Sequence, residues 1–502
     1  LKEVGDYDKG KLKLLFSGHH LSHAASAYYP STFEEAAILT IDGVGEWATA
    51  SIFHGQDGTI RTIKEMPFPH SVGLLYSAFT YFLGFTVNSG EYKVMGLAPF
   101  GNENSEETKE FIEKIKNKIV SIKEDGSIWL NQTYFNYASG LKMIDKPKWE
   151  NLFNMIIRTS ETNIEQKHCN LAYAIQHILE EIVVKMAKEA KRLTKSNNLC
   201  LAGGVALNCV ANSKIKETGI FDNIYIQPAA GDCGSSIGAA LAVHHMYFEN
   251  SKSIKRENAN IYLGPESDEQ DITILNRRYK TVYNKYDSMN DLSNDIAKLI
   301  SEGNVVGWFQ DKMEFGPRAL GNRSILADPR NSKMQELVNR KIKLRENFRP
   351  FAPAVTQEQA QDYFELEHSS PYMLYTAKIK PVYRNTIPND FHELSIDQKG
   401  SLNNSIFPAI THIDYSARIQ TVSKDANPKF WQLLQHMKVH SGHPIVLNTS
   451  LNVRGEPIVS TPQEAYDCFM NTEMDVLVLH NYVYFREQQS DSYKTKSKFK
   501  LD

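Results

Sequence analysis

A short apolar strand closed by glycine, with a small-residue helix behind it, recurs in the first half of this chain and restricts the fold to an α/β architecture. Leu199-Cys200-Leu201-Ala202 reads as a buried strand from which Gly203-Gly204 opens a helix. Gly231 to Ala242 repeats the pattern of glycine followed by a helix of small residues. Ala36 to Ile41 reads as another buried strand, turning at Gly43 and Gly45 and returning as a hairpin over Ala48 to His54. Helical periodicity marks Ser71 to Gly84 and, long and amphipathic, Leu171 to Leu193. Asn102 to Asn163 is charged and irregular and reads as an insertion; Asn250 to Asn260, rich in Asn, Lys and Ser, is the expected linker. The chain opens on Leu1 with a charged stretch to Lys13 and a strand-like Leu14-Leu15-Phe16, so it reads as beginning inside a longer protein.

At 502 residues, 41% hydrophobic and 23% charged, the chain has the composition of a soluble globular protein of two or three domains. A formal charge of -3 gives no general attraction to polyanions, so a small-molecule partner is expected and a nucleic acid is not. The five cysteines form no C-x-x-C pair and read as buried, reduced thiols of a cytoplasmic protein. No apolar run reaches the ~18 residues that span a bilayer, so no membrane association is expected. A homodimer is left open.

Two clusters carry the chemistry. His19 and His23 stand four apart among helix-favouring alanines, so both imidazoles can face one side. Asp42 at a strand end and Asp232 after a glycine complete a set of two histidines and two aspartates suited to one divalent ion such as Fe(II), Mn or Zn. The competing readings are packed histidines and helix-capping aspartates. Gly203, Gly204 and Asn208 follow a buried strand, where glycine lets backbone approach an adenosine or phosphate group; close helix packing is the alternative.

The second cluster is basic. From Arg318 to Arg349 the chain carries Arg318, Arg323, Arg330, Lys333, Arg340, Lys341, Lys343, Arg345 and Arg349 against only Asp328, Glu336 and Glu346. Guanidinium forks beside Gly316-Pro317 suit phosphate, with Pro317 expected to start a helix whose free amides add to the site. The alternative is a solvated face. Arg418 joins the block, as does the polar run Asn448-Thr449-Ser450 and Asn452-Val453-Arg454 after the strand Pro444 to Leu447.

These residues resemble the NodU/CmcH family of O-carbamoyltransferases. The resemblance runs from about His19 to Phe485 and is carried by His19 to Pro30, Ala37 to Thr49, Gly90-Glu91-Tyr92-Lys93-Val94-Met95-Gly96-Leu97-Ala98-Pro99, Gly203 to Asn208, Gly231 to Ala239, Phe315 to Ser324, Phe348 to Pro353, Ser416 to Val422 and Asn448 to Glu456. It implies an α/β and α+β chain of two domains: residues 1–254, similar to the metal-dependent ASKHA-type transferases, and residues 255–487, similar to YrdC-type synthases, followed by a disordered tail at 488–502. It also implies that the second domain makes carbamoyl adenylate from carbamoyl phosphate and ATP. The first would then transfer the carbamoyl group to a hydroxyl of a small metabolite, enclosure protecting the reactive anhydride from water.

Residue by residue, His19, His23, Asp42 and Asp232 match the family's metal ligands, and Gly203, Gly204 and Asn208 its adenylate-binding strand and helix. Arg318, Arg323, Lys343, Arg349, Arg418 and Arg454 match the cationic side chains around carbamoyl phosphate and ATP. The family pattern includes a further stretch ahead of Leu1, with an Asp and a His near the transfer site. The expectation for the chain as given is therefore adenylate formation without transfer. Two other readings compete: carbamoyl-type transfer onto tRNA, and a truncated non-catalytic nucleotide-binding module.

Overall fold

A computed structural model describes residues 8, 10, 12–252, 260–346, 348–388 and 390–491. Most of the expected linker and the tail beyond residue 491 lie outside the described residues, as does most of the charged opening stretch. Contacts divide the chain into two units, one formed by residues 1–73, 186–207 and 219–259, the other by residues 74–185, 208–218 and 260–502.

The first unit is built on a five-stranded mixed sheet. Strand Ala36–Gly45 returns antiparallel as Ala48–Gln56, which pairs with Thr59–Pro67; on its other edge it pairs parallel with Asn198–Ala202, and that strand with Asn223–Ile226. Ala36 to Ile41 is buried throughout, as an unbroken apolar run in a central strand should be. Helix His19–Tyr28 packs against helix Asp232–Ala242, with Gly238 against Ser22 and Ser26. A Cβ at Gly238 would stand 1.8 Å from the Ser22 carbonyl oxygen. Gly238→Ala is therefore expected to force the helices apart, costing about 2–3 kcal/mol and several degrees of Tm in a thermal scan followed by circular dichroism.

The second unit holds an eight-stranded mixed sheet in the order Gln420–Val422, Ala352–Thr356, Ile445–Ser450, Arg323–Ala327, Val306–Phe309, Val476–Leu479, Tyr482–Phe485 and Asn284–Lys285. Side chains alternate between its faces with the period of two that a pleated strand imposes. Ile445 and Leu447 join Ile325, Leu477 and Tyr466 in one core, while Val446 faces the other with Trp308, Leu326, Ile296 and Phe430. A core on each face and helices over both make this an α/β sandwich.

Several local expectations need correction. Residues 102–163 are not irregular: Ser105 caps helix Glu106–Lys114, Asp145 caps helix Lys146–Phe153, and strands Val120–Ile122 and Ile128–Leu130 form a hairpin. Trp149, fully buried against Phe153, packs the segment onto Phe79 and Phe82. Leu14-Leu15-Phe16 forms no strand, and Leu14 and Phe16 are exposed. Pro317 starts no helix, because the Glu314 carboxylate takes the N–H groups of Leu320, Asn322 and Arg323 and winds the chain into a loop with Gly316 and Gly321 at positive φ. Asn448 to Ser450 are the last residues of their strand, not a loop behind it. The Gly203-Gly204 pair leads into a 3₁₀ turn, Gly204–Leu207, before helix Cys209–Glu217 begins. Four of the five free cysteines are buried; Cys233 is exposed. At the expected start of the tail, Gln489 packs into the fold and donates to the Val282 carbonyl at 2.7 Å. No helix among the described residues is long and apolar enough to cross a membrane.

Candidate functional site

In the first unit, four expected ligands converge. His19 and His23 stand on one face of their helix, Asp42 sits where the strand Ala36–Gly45 leaves regular pairing after Ile41, and Asp232 opens its helix. His23 Nε2 lies 2.8 Å from Asp42 Oδ2 and 3.1 Å from His19 Nε2; His19 Nε2 lies 3.1 Å from the same Oδ2, and Asp232 Oδ1 is 3.5 and 3.7 Å from the two rings. All four donor atoms fall within 4.8 Å of one another. Ligands at ~2.1 Å round a tetrahedral ion stand ~3.4 Å apart, so the set fits one divalent cation without rebuilding.

The backbone organises this cluster. Asp42 Oδ1 accepts the N–H of Gly43 at 2.8 Å and of Gly204 at 3.3 Å, leaving Oδ2 for the imidazoles. The Gly204 N–H is thus turned to the Asp42 carboxylate. Gly203, at φ +90, is glycine because a Cβ would stand 2.3 Å from the Ile41 carbonyl oxygen. A Cβ at Gly45 would meet the His19 ring at 1.9 Å. His20 takes no part: its Nε2–H donates to the Ala48 carbonyl, its Nδ1 accepts from Thr40, and burial pushes its pKa down to about 4, keeping it neutral.

Protonation opposes metal here. The hydrogen bond to Asp42 raises the His19 pKa above 6.5, outweighing partial burial. In metal-free protein the stabilisation from charged His19 is fully present below about pH 6.5 and is lost as pH rises through the raised value. A metal needs the neutral ring, so its affinity falls as pH drops through that same value. Chelator-treated protein is expected to gain Tm from added Zn at about pH 8 and little at about pH 5.5 in parallel thermal scans.

In the second unit, four arginines surround a cavity of about 160 Å³. Arg318, Arg345, Arg349 and Arg418 line it with Tyr92, Cys209, His412, Asn448 and Thr449, and no carboxylate is among the lining residues. The Arg349 guanidinium lies 4.5 Å from the Tyr92 ring centroid; Arg345 lies over Phe351 and donates to Asn339 at 2.7 Å. The Nε atoms of Arg318 and Arg418 are buried without a hydrogen-bond partner among the described residues. Burial pushes the pKa of all four guanidinium groups down, and repulsion from a neighbouring arginine adds to this at Arg318, Arg345 and Arg349. Cations crowded into a low dielectric with no carboxylate in the cavity lining favour an anion. His412 stays neutral, its Nδ1 accepting the Ile413 N–H and its Nε2–H donating to the Gly96 carbonyl.

Other residues of the basic block lie elsewhere. Arg323 is fully buried, stacked on Phe309 and bonded to the carbonyls of Gln310, Asn322, Asp311 and Pro265, so it braces the Gly316–Gly321 loop. Lys343 is spent on Ser450 and Asn452. Arg454 pairs with Glu161. Asn208 caps helix Cys209–Glu217 and exchanges hydrogen bonds with Gln176. Arg340 and Lys341 form exposed ion pairs, the solvated face that the sequence left open. Arg345, Tyr92 and His412 were not singled out from sequence, although Arg345 neighbours Lys343 and Tyr92 lies in the Gly90–Pro99 motif.

The fold is mixed α/β, with two histidines and two aspartates gathered in the first unit and an arginine-lined cavity in the second. The chain belongs to the carbamoyltransferase family: residues 2–241 match the model of the carbamoyltransferase N-terminus and residues 297–486 that of the carbamoyltransferase C-terminus. It is 48% identical, over its whole length, to uncharacterized protein sll1178 of Synechocystis sp., of which it spans 82%. It is 35% identical over 94% of its length to nodulation protein NolNO of Sinorhizobium fredii, spanning 64% of that protein. Nodulation protein NolO of Bradyrhizobium diazoefficiens is 33% identical over 92% of the chain, which spans 77% of it.

Proposed function

We propose that this carbamoyltransferase is ATP-dependent and acts on a hydroxyl of a small metabolite. The single observation that carries the first step is the cavity with four guanidinium groups and no carboxylate in its lining. Water frees phosphate from carbamoyl phosphate, and the carbamate oxygen then takes the α-phosphate of ATP with loss of pyrophosphate, giving carbamoyl adenylate. Arg318, Arg345, Arg349 and Arg418 bind the phosphate oxygens and spread their charge as bonds to phosphorus form and break. Neutral His412 and the Tyr92 ring wall the cavity and keep bulk water out.

Transfer belongs to the other cluster. A divalent ion, Fe(II), Mn or Zn, held by His19, His23, Asp42 and Asp232 would supply a Lewis acid there. Asp42 is pre-set for the role: its pKa stays well below the usual carboxylate range although burial pushes it up, because the hydrogen bonds from His19 and His23 outweigh burial. The domain reading follows the family resemblance, with residues 1–254 as the ASKHA-type transfer domain and residues 255–487 as the YrdC-like adenylate-forming domain. In incubations with ¹⁴C-carbamoyl phosphate and a panel of sugars and other hydroxylated metabolites, any label carried onto an acceptor is expected to require ATP. Label transfer without ATP would overturn the adenylate route.

A further inference from the structure

One carboxylate stands behind the guanidinium cavity. Glu346 accepts from Lys93 Nζ at 2.9 Å and lies 4.0 Å from Arg454, and its main-chain carbonyl receives the Arg349 N–H at 3.5 Å. Its Oε2 is buried with no hydrogen-bond partner among the described residues. Lys93, only 3% exposed, follows Tyr92, whose ring carries the Arg349 guanidinium. The Lys93 ammonium and the Arg158 guanidinium both lie against Phe85, at 5.5 and 4.8 Å from its centroid, and Phe85 contacts Phe348 from the arginine loop. Burial lowers the pKa of Lys93, Arg158, Arg345 and Arg349, and in each case the Glu346 charge opposes that fall.

We infer that Glu346 is the resident counter-charge of the guanidinium cavity, positioning Arg349 through its pair with Lys93 and limiting how strongly the cavity attracts an anion. The inference rests on the cavity being a phosphate site. A carboxylate fixed among those cations holds them in place, yet it also repels phosphate oxygens across a low dielectric. Removing its charge but not its shape should therefore tighten anion binding while slowing chemistry, because tighter ground-state binding with misplaced donors does not serve the transition state. A side chain with only a structural role would lose binding and melting temperature together.

The test is calorimetric titration of the full chain with inorganic pyrophosphate, beside KM and kcat for carbamoyl-phosphate-dependent pyrophosphate release. Glu346→Gln is expected to bind pyrophosphate about ten-fold more tightly, with KM for carbamoyl phosphate and kcat both about ten-fold lower. Lys93→Met, which removes the cation at 2.9 Å from Glu346 and leaves Arg454 at 4.0 Å, is expected to bind about ten-fold more weakly. The double variant K93M/E346Q has the wild-type net charge and no stranded buried ion, so it folds even where a single change does not. It should bind pyrophosphate within about three-fold of wild type with kcat still about ten-fold low. A Glu346→Gln protein that binds no more tightly, or a double variant with wild-type kcat, overturns this inference alone. Wild-type protein that takes up no pyrophosphate overturns the phosphate reading of the cavity, and this inference with it.

Discussion

Arg418→Ala is expected to lower carbamoyl-phosphate-dependent pyrophosphate release by about 100-fold while leaving Tm unchanged or slightly raised, and Arg318→Ala should do the same. The activity loss follows from geometry: each guanidinium lines the cavity and keeps a buried Nε without a hydrogen-bond partner among the described residues. A charge-assisted contact to phosphate is worth about 2–3 kcal/mol, and more where the charge develops as bonds change. The stability effect has the opposite sign because each buried guanidinium sits near other arginines and pays desolvation until an anion arrives. Removing one relieves that strain, the usual trade of stability against function at a pre-organised site. Arg323→Ala is the contrast. It strands four carbonyls and empties the space over Phe309, so Tm should fall by several degrees along with activity.

The second large effect is at the His/Asp cluster. His23→Ala should reduce divalent-metal affinity by about two orders of magnitude or more, since the His23 ring is fully buried and bonded to Asp42 at 2.8 Å. Elemental analysis after dialysis against a trace of Zn, Mn or Fe(II) reads this directly. His20→Ala is the internal control one residue away from His19: it breaks the bonds to Thr40 and Ala48 and costs stability, but metal content should be retained. Equal metal loss in both variants would mean that the helix, not the ligand set, governs binding.

The parts legible in the sequence were those whose signal is local. The hairpin from Ala36, the strand at Leu199 and the helices near Val72, Gln166 and Asp232 follow from periodicity and glycine over a few residues. His19 and His23 could be paired because a helix puts positions four apart on one face, and Asp42 and Asp232 because each closes or opens an element. The basic block was different. Charge density pointed to a cationic cluster, but not which cations face one cavity, since Arg323 and Lys343 are drawn inward by carbonyls from residues 265–322 and 450–452 that no spacing rule connects to them. Arg345 takes the place in the cavity expected of Lys343, two residues along a chain that turns through positive φ at Leu344. The segment at 102–163 was misread because its charge hides two capped helices and the buried Trp149, where Ser105 and Asp145 were the available signals.

The central claim is that the guanidinium cavity activates a carbamoyl group at the expense of ATP. Exchange of labelled pyrophosphate into ATP tests it most directly, because exchange requires reversible formation of an adenylate and needs no acceptor. The expected result is exchange that depends on carbamoyl phosphate and falls by about 100-fold in Arg318→Ala and Arg418→Ala. No exchange by the wild-type chain with both substrates present, or undiminished exchange in those two variants, would contradict the account.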